Sequence, residues 1–328
     1  MKFETKAIHG VRTPEKGIEN WGSTLNMATT FPIKTYSEWQ EFEYSRVSNP
    51  TRKDFETMIA LLENGKHGFG FSSGMAATTS VFTMFKAGDH FVLSLDIYGG
   101  TYRIINDIFR KFGFEATFVD TTDLQQIEAA VRPNTKAIFI ETPSNPLLEV
   151  TDIRGVVAIA KRHNLLSMVD NTFMSPVLQR PLELGADIVL HSATKFLGGH
   201  NDIIAGAVVV NSDELAEKIS FAQVAIGAIL SPFDSWLLLR SMKTLKLRVE
   251  KAQANTLKLL DFLRSHPEVG KVYYPTEAHN KGKAVHESQA SGGGSVFSFT
   301  VKSEAKAKAF FESLKVALFA VSLGGVET

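Results

Sequence analysis

Between about residue 65 and residue 210, short apolar runs rich in β-forming residues alternate with longer segments of helical period. This alternation is typical of a parallel, doubly wound sheet, in which helices carry the chain back between neighbouring strands. Strands are predicted at residues 91–96, 116–119, 137–141, 165–170, 188–191 and 205–210. Crossover helices are predicted at residues 101–112, 124–131 and 153–163. We therefore expect an α/β fold with a doubly wound, mainly parallel sheet.

The remainder of the chain predicts a second, smaller unit. Ser231 and Pro232 are typical of a helix start, and the amphipathic stretch that follows runs to about residue 265, before Pro267. Beyond it, strands are predicted at 271–274, 295–301 and 316–321, with a helix at 303–314. We expect a large domain at residues 46–240 and a C-terminal α+β domain at 241–328.

The first 45 residues are irregular and rich in aromatic side chains, among them Trp21, Tyr36, Trp39 and Tyr44. An isolated arm of this composition would leave much apolar surface exposed. We expect residues 1–45 to form an arm that packs against another subunit.

Composition excludes several classes of function. Lys+Arg and Asp+Glu both number 35, so no net field recruits nucleic acid or an anionic membrane, and a small-molecule substrate is expected. The chain has no cysteine, which excludes disulfides, thiolate metal sites and a cysteine nucleophile, and no metal is expected. No apolar run approaches the length that spans a bilayer, so the sequence predicts a cytoplasmic protein.

Lys195 lies just after the predicted strand at 188–191, in the segment Ser192-Ala193-Thr194-Lys195. Ligands bind at the carboxyl edge of open α/β sheets. A desolvated lysine there has a lowered pKa and can form a Schiff base with an aldehyde cofactor such as pyridoxal 5'-phosphate (PLP). The alternative is a lysine whose aliphatic stem is buried and whose amine reaches water.

Asp170 ends another apolar strand, followed by Asn171 and Thr172. A PLP site needs a carboxylate that keeps the pyridine nitrogen protonated, because the ring then withdraws electrons. Asp170 meets that requirement. An aspartate at this position is also typical of a helix N-cap.

Two further features suit a phosphorylated aromatic cofactor. Ser73, Gly74 and Met75 form a turn that opens a predicted helix, whose free N–H groups bind anions, and Ser192 and Thr194 add hydroxyl donors. Tyr98 follows another predicted strand and could stack on a ring. The alternatives are an ordinary serine N-cap and a core tyrosine.

The sequence also contains partial matches to the motifs of two other classes of enzyme. Gly70-Phe71-Ser72-Ser73-Gly74 fits the G-x-S-x-G elbow of α/β-hydrolases, but the preceding segment is too interrupted to predict the required strand. Gly68, Gly70 and Gly74 miss the dinucleotide-binding spacing by one residue. Neither a hydrolase nor a dehydrogenase would bind PLP covalently.

Taken together, these motifs resemble the cysteine/methionine-metabolism family of PLP enzymes, which comprises cystathionine β- and γ-lyases, cystathionine γ-synthases and methionine γ-lyases. The resemblance covers essentially the whole chain. It rests on the segments Tyr44-Ser45-Arg46, Glu141-Thr142-Pro143-Ser144-Asn145-Pro146, Val169-Asp170-Asn171-Thr172 and Ser192-Ala193-Thr194-Lys195. It implies the aspartate-aminotransferase-like fold of type I PLP enzymes.

The resemblance also implies roles for individual residues. Lys195 is the Schiff-base lysine and the base, Asp170 contacts the pyridinium, and Tyr98 stacks on the ring and assists proton transfer. The phosphate is bound by Gly74, Met75, Ser192 and Thr194, and by Tyr44 and Arg46 of a neighbouring subunit. Asn145 lies near the phenolic oxygen of PLP and the substrate. The implied assembly is a homotetramer of two catalytic dimers with shared sites.

The expected reaction is cleavage of a carbon–sulfur bond in an amino acid, most readily cystathionine to homocysteine, pyruvate and ammonia. Val321 stands where many γ-lyases and γ-synthases of the family carry a glutamate, and Gly100 where methionine γ-lyases usually carry a cysteine. Gly100 disfavours a methionine γ-lyase, and Val321 favours a cystathionine β-lyase, with Val321 and Ser322 at the substrate. The alternatives are cystathionine γ-lyase, cystathionine γ-synthase and methionine γ-lyase.

The family ordinarily continues for several tens of residues beyond the segment Ser322-Leu323-Gly324, in a stretch that includes the arginine for the substrate's α-carboxylate. A chain that ends at Thr328 lacks that stretch. We therefore expect either a truncated chain or a PLP-binding form with impaired turnover.

Overall fold

The computed structural model describes residues 1–11, 22–38 and 40–327. A sheet of seven strands lies at its centre. The strands are β1 (His67–Phe71), β2 (His90–Ser94), β3 (Glu115–Val119), β4 (Thr135–Glu141), β5 (Leu166–Asp170), β6 (Ile188–Ser192) and β7 (Gly206–Val210). Their order across the sheet is β1-β7-β6-β5-β4-β2-β3.

The sheet is mixed but mainly parallel. Strands β3, β2, β4, β5 and β6 run parallel to one another, whereas β7 is antiparallel to both β6 and β1. The predicted α/β class is confirmed, and the bounds of all six predicted strands lie within two residues of those observed.

Strand β1 was not expected from the sequence, because its residues His-Gly-Phe-Gly-Phe include two glycines. The glycines have a packing reason. A Cβ atom on Gly68 would lie 2.1 Å from the carbonyl oxygen of Glu56, and one on Gly70 would lie 3.0 Å from the ring of Phe55. The helix that carries Glu56 and Phe55 therefore packs so closely on β1 that only glycine fits at these positions.

Helices cover both faces of the sheet. They are α1 (Phe3–His9), α2 (Pro50–Leu62), α3 (Gly74–Phe82), α4 (Gly99–Arg103), α5 (Leu124–Ala130), α6 (Ile153–Arg162), α7 (Ser175–Leu178), α8 (Asp213–Ile226), α9 (Pro232–Met242), α10 (Leu245–Ser265), α11 (Lys283–Gln289) and α12 (Glu304–Ser313). The helix predicted at 101–112 is instead the end of α4, a π-helical turn (Ile104–Ile108) and a 3-10 turn (Phe109–Phe112).

Alternation along β7 shows how the two faces are buried. Ala207 and Val209 pack in one core cluster with residues of α2 and α9. Val208 and Val210 face the opposite side and pack with residues of α3 and α8. All four side chains are fully buried, as a strand covered on both faces requires.

The C-terminal region contains a small antiparallel sheet of β8 (Val269–Tyr273) and β9 (Ser298–Val301), which contacts α10 and α12. The single helix predicted at residues 233–265 is wrong, because the chain breaks at Lys243 and Thr244 into α9 and α10. The strand predicted at 316–321 is also wrong. Val316 and Val321 are exposed there, and among the described residues that segment pairs with no strand.

The described part of the arm lies on the surface, with Met27, Tyr36 and Tyr44 exposed. Trp21 and Trp39 lie outside the described residues. The boundaries at residues 45 and 240, and the packing of the arm on another subunit, stay predictions. Within the described part of the chain, every helix is too short or too polar to cross a membrane.

Candidate active site

The predicted site residues gather where strands β4, β5 and β6 end. Glu141 is the last residue of β4 and is paired in register with Asp170, the last residue of β5. Ser192 ends β6, and its N–H donates to the Thr172 hydroxyl at 2.8 Å. Since the three strands are parallel, their carboxyl ends form one edge of the sheet, which is the position expected for a ligand site.

Lys195 lies in the turn that follows β6 and is partly buried. Burial lowers the pKa of its amine. Its Nζ donates a hydrogen bond to Ser322 Oγ at 2.7 Å, and none of the acidic side chains described forms an ion pair with it. A lysine without a carboxylate partner is more readily neutral, and a neutral amine can attack a carbonyl group.

Asp170 is held by its own turn. Its Oδ1 accepts a hydrogen bond from Thr172 N at 2.9 Å. Burial raises the pKa of Asp170, while hydrogen bonds from Thr172 and the charge of His191 act in the opposite direction. The environment therefore contains groups that specifically favour the ionised form of this carboxyl, as a partner for a ring cation requires.

Glu141 is a site residue to which the sequence interpretation assigned no role. It is buried, and its Oε2 accepts a hydrogen bond from Tyr98 N at 2.9 Å. Burial raises the pKa of Glu141 well above its usual range, and the neighbouring Asp170 and Asp96 raise it further. The available signal was an acidic residue that ends an apolar strand, which is the same signal that identified Asp170.

The predicted phosphate loop lies against β6. Ser73 is the N-cap of α3, where its Oγ accepts a hydrogen bond from Ala76 N at 3.0 Å, so the N-cap interpretation of this serine holds. A Cβ atom on Gly74 would lie 2.9 Å from the Cβ of Ser192 and 3.1 Å from its Oγ. The start of α3 and the end of β6 are therefore in direct contact, which brings Gly74, Met75 and Ser192 together.

Tyr98 is the N-cap residue of α4 and is about half exposed. A Cβ atom on Gly100 would lie 2.5 Å from the Tyr98 ring and 2.7 Å from Met75 Sδ. The ring of Tyr98 thus lies over the glycine of its own helix, close to the start of α3. It is not a core side chain.

Thr194 and Asn145 are placed differently. The Thr194 hydroxyl donates to Ala205 O at 3.2 Å and accepts from Ala205 N at 3.0 Å, so donation to a phosphate would require it to leave the carbonyl. Asn145 is exposed in the turn after β4. The roles expected for both residues stay predictions.

The remaining predicted residues lie on outer segments. Arg46 Nη1 donates to Val224 O at 2.8 Å, and its guanidinium lies 5.2 Å from the ring centroid of the exposed Tyr44. Val321 is 95% exposed, whereas the adjacent Ser322 accepts the hydrogen bond from Lys195. Ser322 therefore reaches the lysine, and Val321 contacts little of the described chain.

This arrangement at the edge of a doubly wound sheet is the one expected of a PLP enzyme of type I fold. Residues 4–328 match the model of the Cys/Met metabolism PLP-dependent enzyme family. The chain belongs to this family.

Similar proteins include both kinds of cystathionine lyase. The chain is 46% identical to cystathionine gamma-lyase of Bacillus subtilis (strain 168) over 328 residues, covering 100% of this chain and 86% of that protein. It is 45% identical to cystathionine beta-lyase MetC of the same organism over 326 residues, covering 99% and 84%. A structure of cystathionine gamma-lyase from Lactobacillus plantarum complexed with L-serine superposes with a TM-score of 0.97 at 47% identity, covering 100% and 86%.

Family membership rules out the hydrolase and dehydrogenase interpretations. The strand before Ser72 does form, so the reason given against the nucleophile elbow was wrong. However, β1 is an antiparallel edge strand, and Ser72 does not follow a parallel strand at the sheet's centre. The chain is a PLP-dependent enzyme of transsulfuration metabolism, in a family of carbon–sulfur lyases.

Proposed function

We propose that this enzyme cleaves cystathionine by β-elimination, giving homocysteine, pyruvate and ammonia, with PLP held by Lys195. The observation that carries the proposal is the environment of Lys195. Burial lowers the pKa of its amine, and the strand ends that carry Asp170 and Ser192 lie beside its turn. The amine is thus available both to hold an aldehyde and to accept a proton.

The residues present fit PLP. The contact between Gly74 and Ser192 leaves no room for a side chain at Gly74, so backbone N–H groups at the start of α3 can approach a phosphate directly. Asp170 would face the pyridine nitrogen, and Tyr98 would cover a ring face. Tyr44 and Arg46 of a second subunit, with Thr194, would complete the phosphate contacts.

PLP, when bound, supplies an electron sink that stabilises negative charge on the substrate's Cα. The chain's own groups then move the protons. Lys195 Nζ would take the proton from the substrate's Cα. Its present partner, the hydroxyl of Ser322, can hold the amine in position. Tyr98 would assist proton transfer, with its backbone fixed by Glu141.

Two residues bear on the choice of reaction. Val321 offers no carboxylate to a distal ammonium group, where the resemblance places a glutamate in many γ-lyases and γ-synthases. At Gly100, any side chain would overlap the Tyr98 ring, which disfavours the cysteine expected of a methionine γ-lyase. Cystathionine γ-lyase is the second candidate, because a relative so named is 46% identical. Cystathionine γ-synthase and an inactive PLP-binding form are the remaining alternatives.

The proposal includes a homotetramer of two catalytic dimers in the cytoplasm. Support for the assembly comes from the exposed position of Tyr44 and Arg46, which a neighbouring chain can reach. Support for the location comes from the sulfur amino acids that the family metabolises.

The test is to add L-cystathionine to PLP-loaded protein and to measure pyruvate and 2-oxobutyrate separately. Pyruvate with homocysteine supports the β-lyase. The outcome 2-oxobutyrate with cysteine would move the assignment to γ-lyase. Bound PLP without either product would contradict lyase activity and support the inactive form.

A further inference from the structure

The C-terminal end of α2 reaches beneath the candidate active site. Glu63, the residue that caps this helix, is fully buried. Its Oε1 is 2.6 Å from His191 Nε2 and accepts a hydrogen bond from Asn171 Nδ2 at 2.9 Å. Both partners are at most 2% exposed. A single oxygen, Glu63 Oε1, therefore links the end of β5 to the end of β6.

Those two partners are direct neighbours of proposed cofactor residues. Asn171 follows Asp170, and His191 precedes Ser192. The backbone also links the two ends, since Asn171 N donates to Leu190 O at 2.9 Å. A displacement of either Asn171 or His191 would therefore move a residue that contacts the cofactor.

Gln179 extends the same set of contacts to the end of β4. Its Nε2 donates to Asn171 Oδ1 at 3.1 Å and to Thr142 O at 3.2 Å. Thr142 directly follows Glu141. All of these groups are buried, and buried polar networks keep one arrangement because a broken bond leaves a polar atom unpaired.

We propose that Glu63 is a positioning residue of the cofactor site, whose buried carboxylate holds Asn171 and His191 and thereby fixes Asp170 and Ser192. The inference rests on the proposed roles of Asp170 and Ser192 in binding PLP. Glu63 itself touches no group assigned to the cofactor, so it acts only through its two partners.

The contact between Glu63 and His191 has a second effect. Asp170 is faced by Glu141 on β4, by His191 on β6 and by the Thr172 hydroxyl, and Asp96 acts on Glu141. The charge of His191 lowers the pKa of Asp170. Without the Glu63 carboxylate, His191 loses the contact that holds it beside Asp170, so ionisation of Asp170 would require a higher pH.

The experiment compares Glu63→Leu and Glu63→Gln with the same changes at Glu56. Glu56 lies two turns earlier on α2 and accepts from Gly70 N at 2.9 Å and from Gln223 Nε2 at 3.1 Å, so its partners are not on β5 or β6. For each variant, the dissociation constant of PLP is measured by absorbance across a pH series, and stability is measured by urea unfolding.

We expect Glu63→Leu to weaken PLP binding by about tenfold or more, as is typical when an outer partner of a binding residue is lost. Glu63→Gln keeps an acceptor oxygen, so its affinity at the optimum pH stays near that of the unchanged protein. The pH at which PLP binding is lost on acidification moves higher in this variant, because the carboxylate that contacts His191 is gone. We expect the Glu56 variants to lose stability without a shift of the pH at which PLP binding is lost.

A folded Glu63→Leu variant with unchanged PLP affinity, and an unchanged pH for the loss of PLP binding, would overturn the inference. If Glu63→Leu does not fold, the test rests on Glu63→Gln. An unchanged pH for the loss of PLP binding in Glu63→Gln would then overturn the inference. An equal shift in the Glu56 variants would also overturn it. Absence of PLP binding by the unchanged protein would instead contradict the proposed function, so the two failures are distinguishable.

Discussion

At the scale of single residues, Glu141 and Asp170 show how position gives two carboxyl groups different tasks. They end neighbouring strands and are partners in register. Asp170 receives hydrogen bonds from Thr172 and the charge of His191, which favour its ionised form. Glu141 receives one backbone N–H and faces two other carboxylates, so the pKa of Glu141 rises further above its usual value. The surroundings therefore favour the protonated form of Glu141, whereas Asp170 has neighbours that favour its ionised form.

This arrangement predicts a pH dependence of stability. An unfolded glutamate titrates at about pH 4.3. Because the pKa of Glu141 is raised in the folded state, the folded protein binds more protons above that pH, and its stability falls as the pH rises towards the folded pKa. Glu141→Gln keeps the acceptor for Tyr98 N but removes the titration. We expect its free energy of unfolding, measured with urea, to fall less between about pH 5 and pH 8.

The exposed Glu217→Gln provides the control for this prediction. Its stability should follow the pH dependence of the unchanged protein. A Glu141→Gln variant with the same slope as the unchanged protein would show that Glu141 does not carry a raised pKa.

The site residues that were identified from the sequence could be recognised from the residues next to them in the chain. Asp170 ends an apolar strand and Lys195 lies in the turn after another, so their place at the sheet edge could be predicted. Glu63 and Glu141 depend on information that is not local. Glu63 matters because α2 ends beneath β5 and β6, and Glu141 matters because of its register with Asp170. Neither packing angle nor register is specified by a run of residues in one segment.

At the scale of elements, α4 begins with two glycines whose environments differ sharply. A Cβ atom on Gly99 would meet only Arg103 Nη1, at 3.8 Å. One on Gly100 would overlap the Tyr98 ring at 2.5 Å and Met75 Sδ at 2.7 Å. The helix start is therefore built so that Tyr98 can lie across Gly100.

The pair predicts different effects of the same substitution. Gly100→Ala should displace Tyr98 and cost about 1–3 kcal/mol, the usual effect of an added methyl group in a tightly packed position. We expect weaker PLP binding, measured by absorbance titration, and a lower melting temperature. Gly99→Ala should change neither by a comparable amount. Equal behaviour of the two variants would contradict the placement of the Tyr98 ring.

Elements that are absent from the prediction, or wrongly predicted, have identifiable causes. Strand β1 was missed because its two glycines serve the close approach of α2, a tertiary effect. The break between α9 and α10 contains no proline. It is stabilised by Arg248, which donates to Ser241 O at 2.9 Å and to Thr244 Oγ1 at 3.2 Å. The apolar segment at 316–321 has β-forming composition but pairs with no strand in the described structure.

At the scale of the whole molecule, the proposed shared site makes a prediction about mixed subunits. A Lys195→Ala chain and an Arg46→Ala chain are each expected to lack lyase activity. If Arg46 serves the neighbouring subunit, a hybrid dimer contains one site with both residues intact. Random mixing after unfolding and refolding should therefore restore about a quarter of the activity, since half of the dimers are hybrids with one good site of two.

The measurement is pyruvate release before and after mixing, with light scattering to establish the oligomeric state. Chains mixed without unfolding provide the control. If Arg46 acted within its own chain, every site in the mixture would lack one of the two residues, and no activity would return. That outcome would contradict the proposed exchange of the arm.

The measurement that tests the central claim most directly is the site of covalent attachment of PLP. The protein is incubated with PLP, reduced with borohydride, digested and analysed by mass spectrometry, in parallel with Lys195→Ala. The account predicts one PLP group on the peptide that contains Lys195, and neither this label nor a visible cofactor band in the variant, whose circular dichroism stays unchanged. Labelling of a different lysine, or equal labelling of a folded Lys195→Ala variant, would contradict the assignment of Lys195.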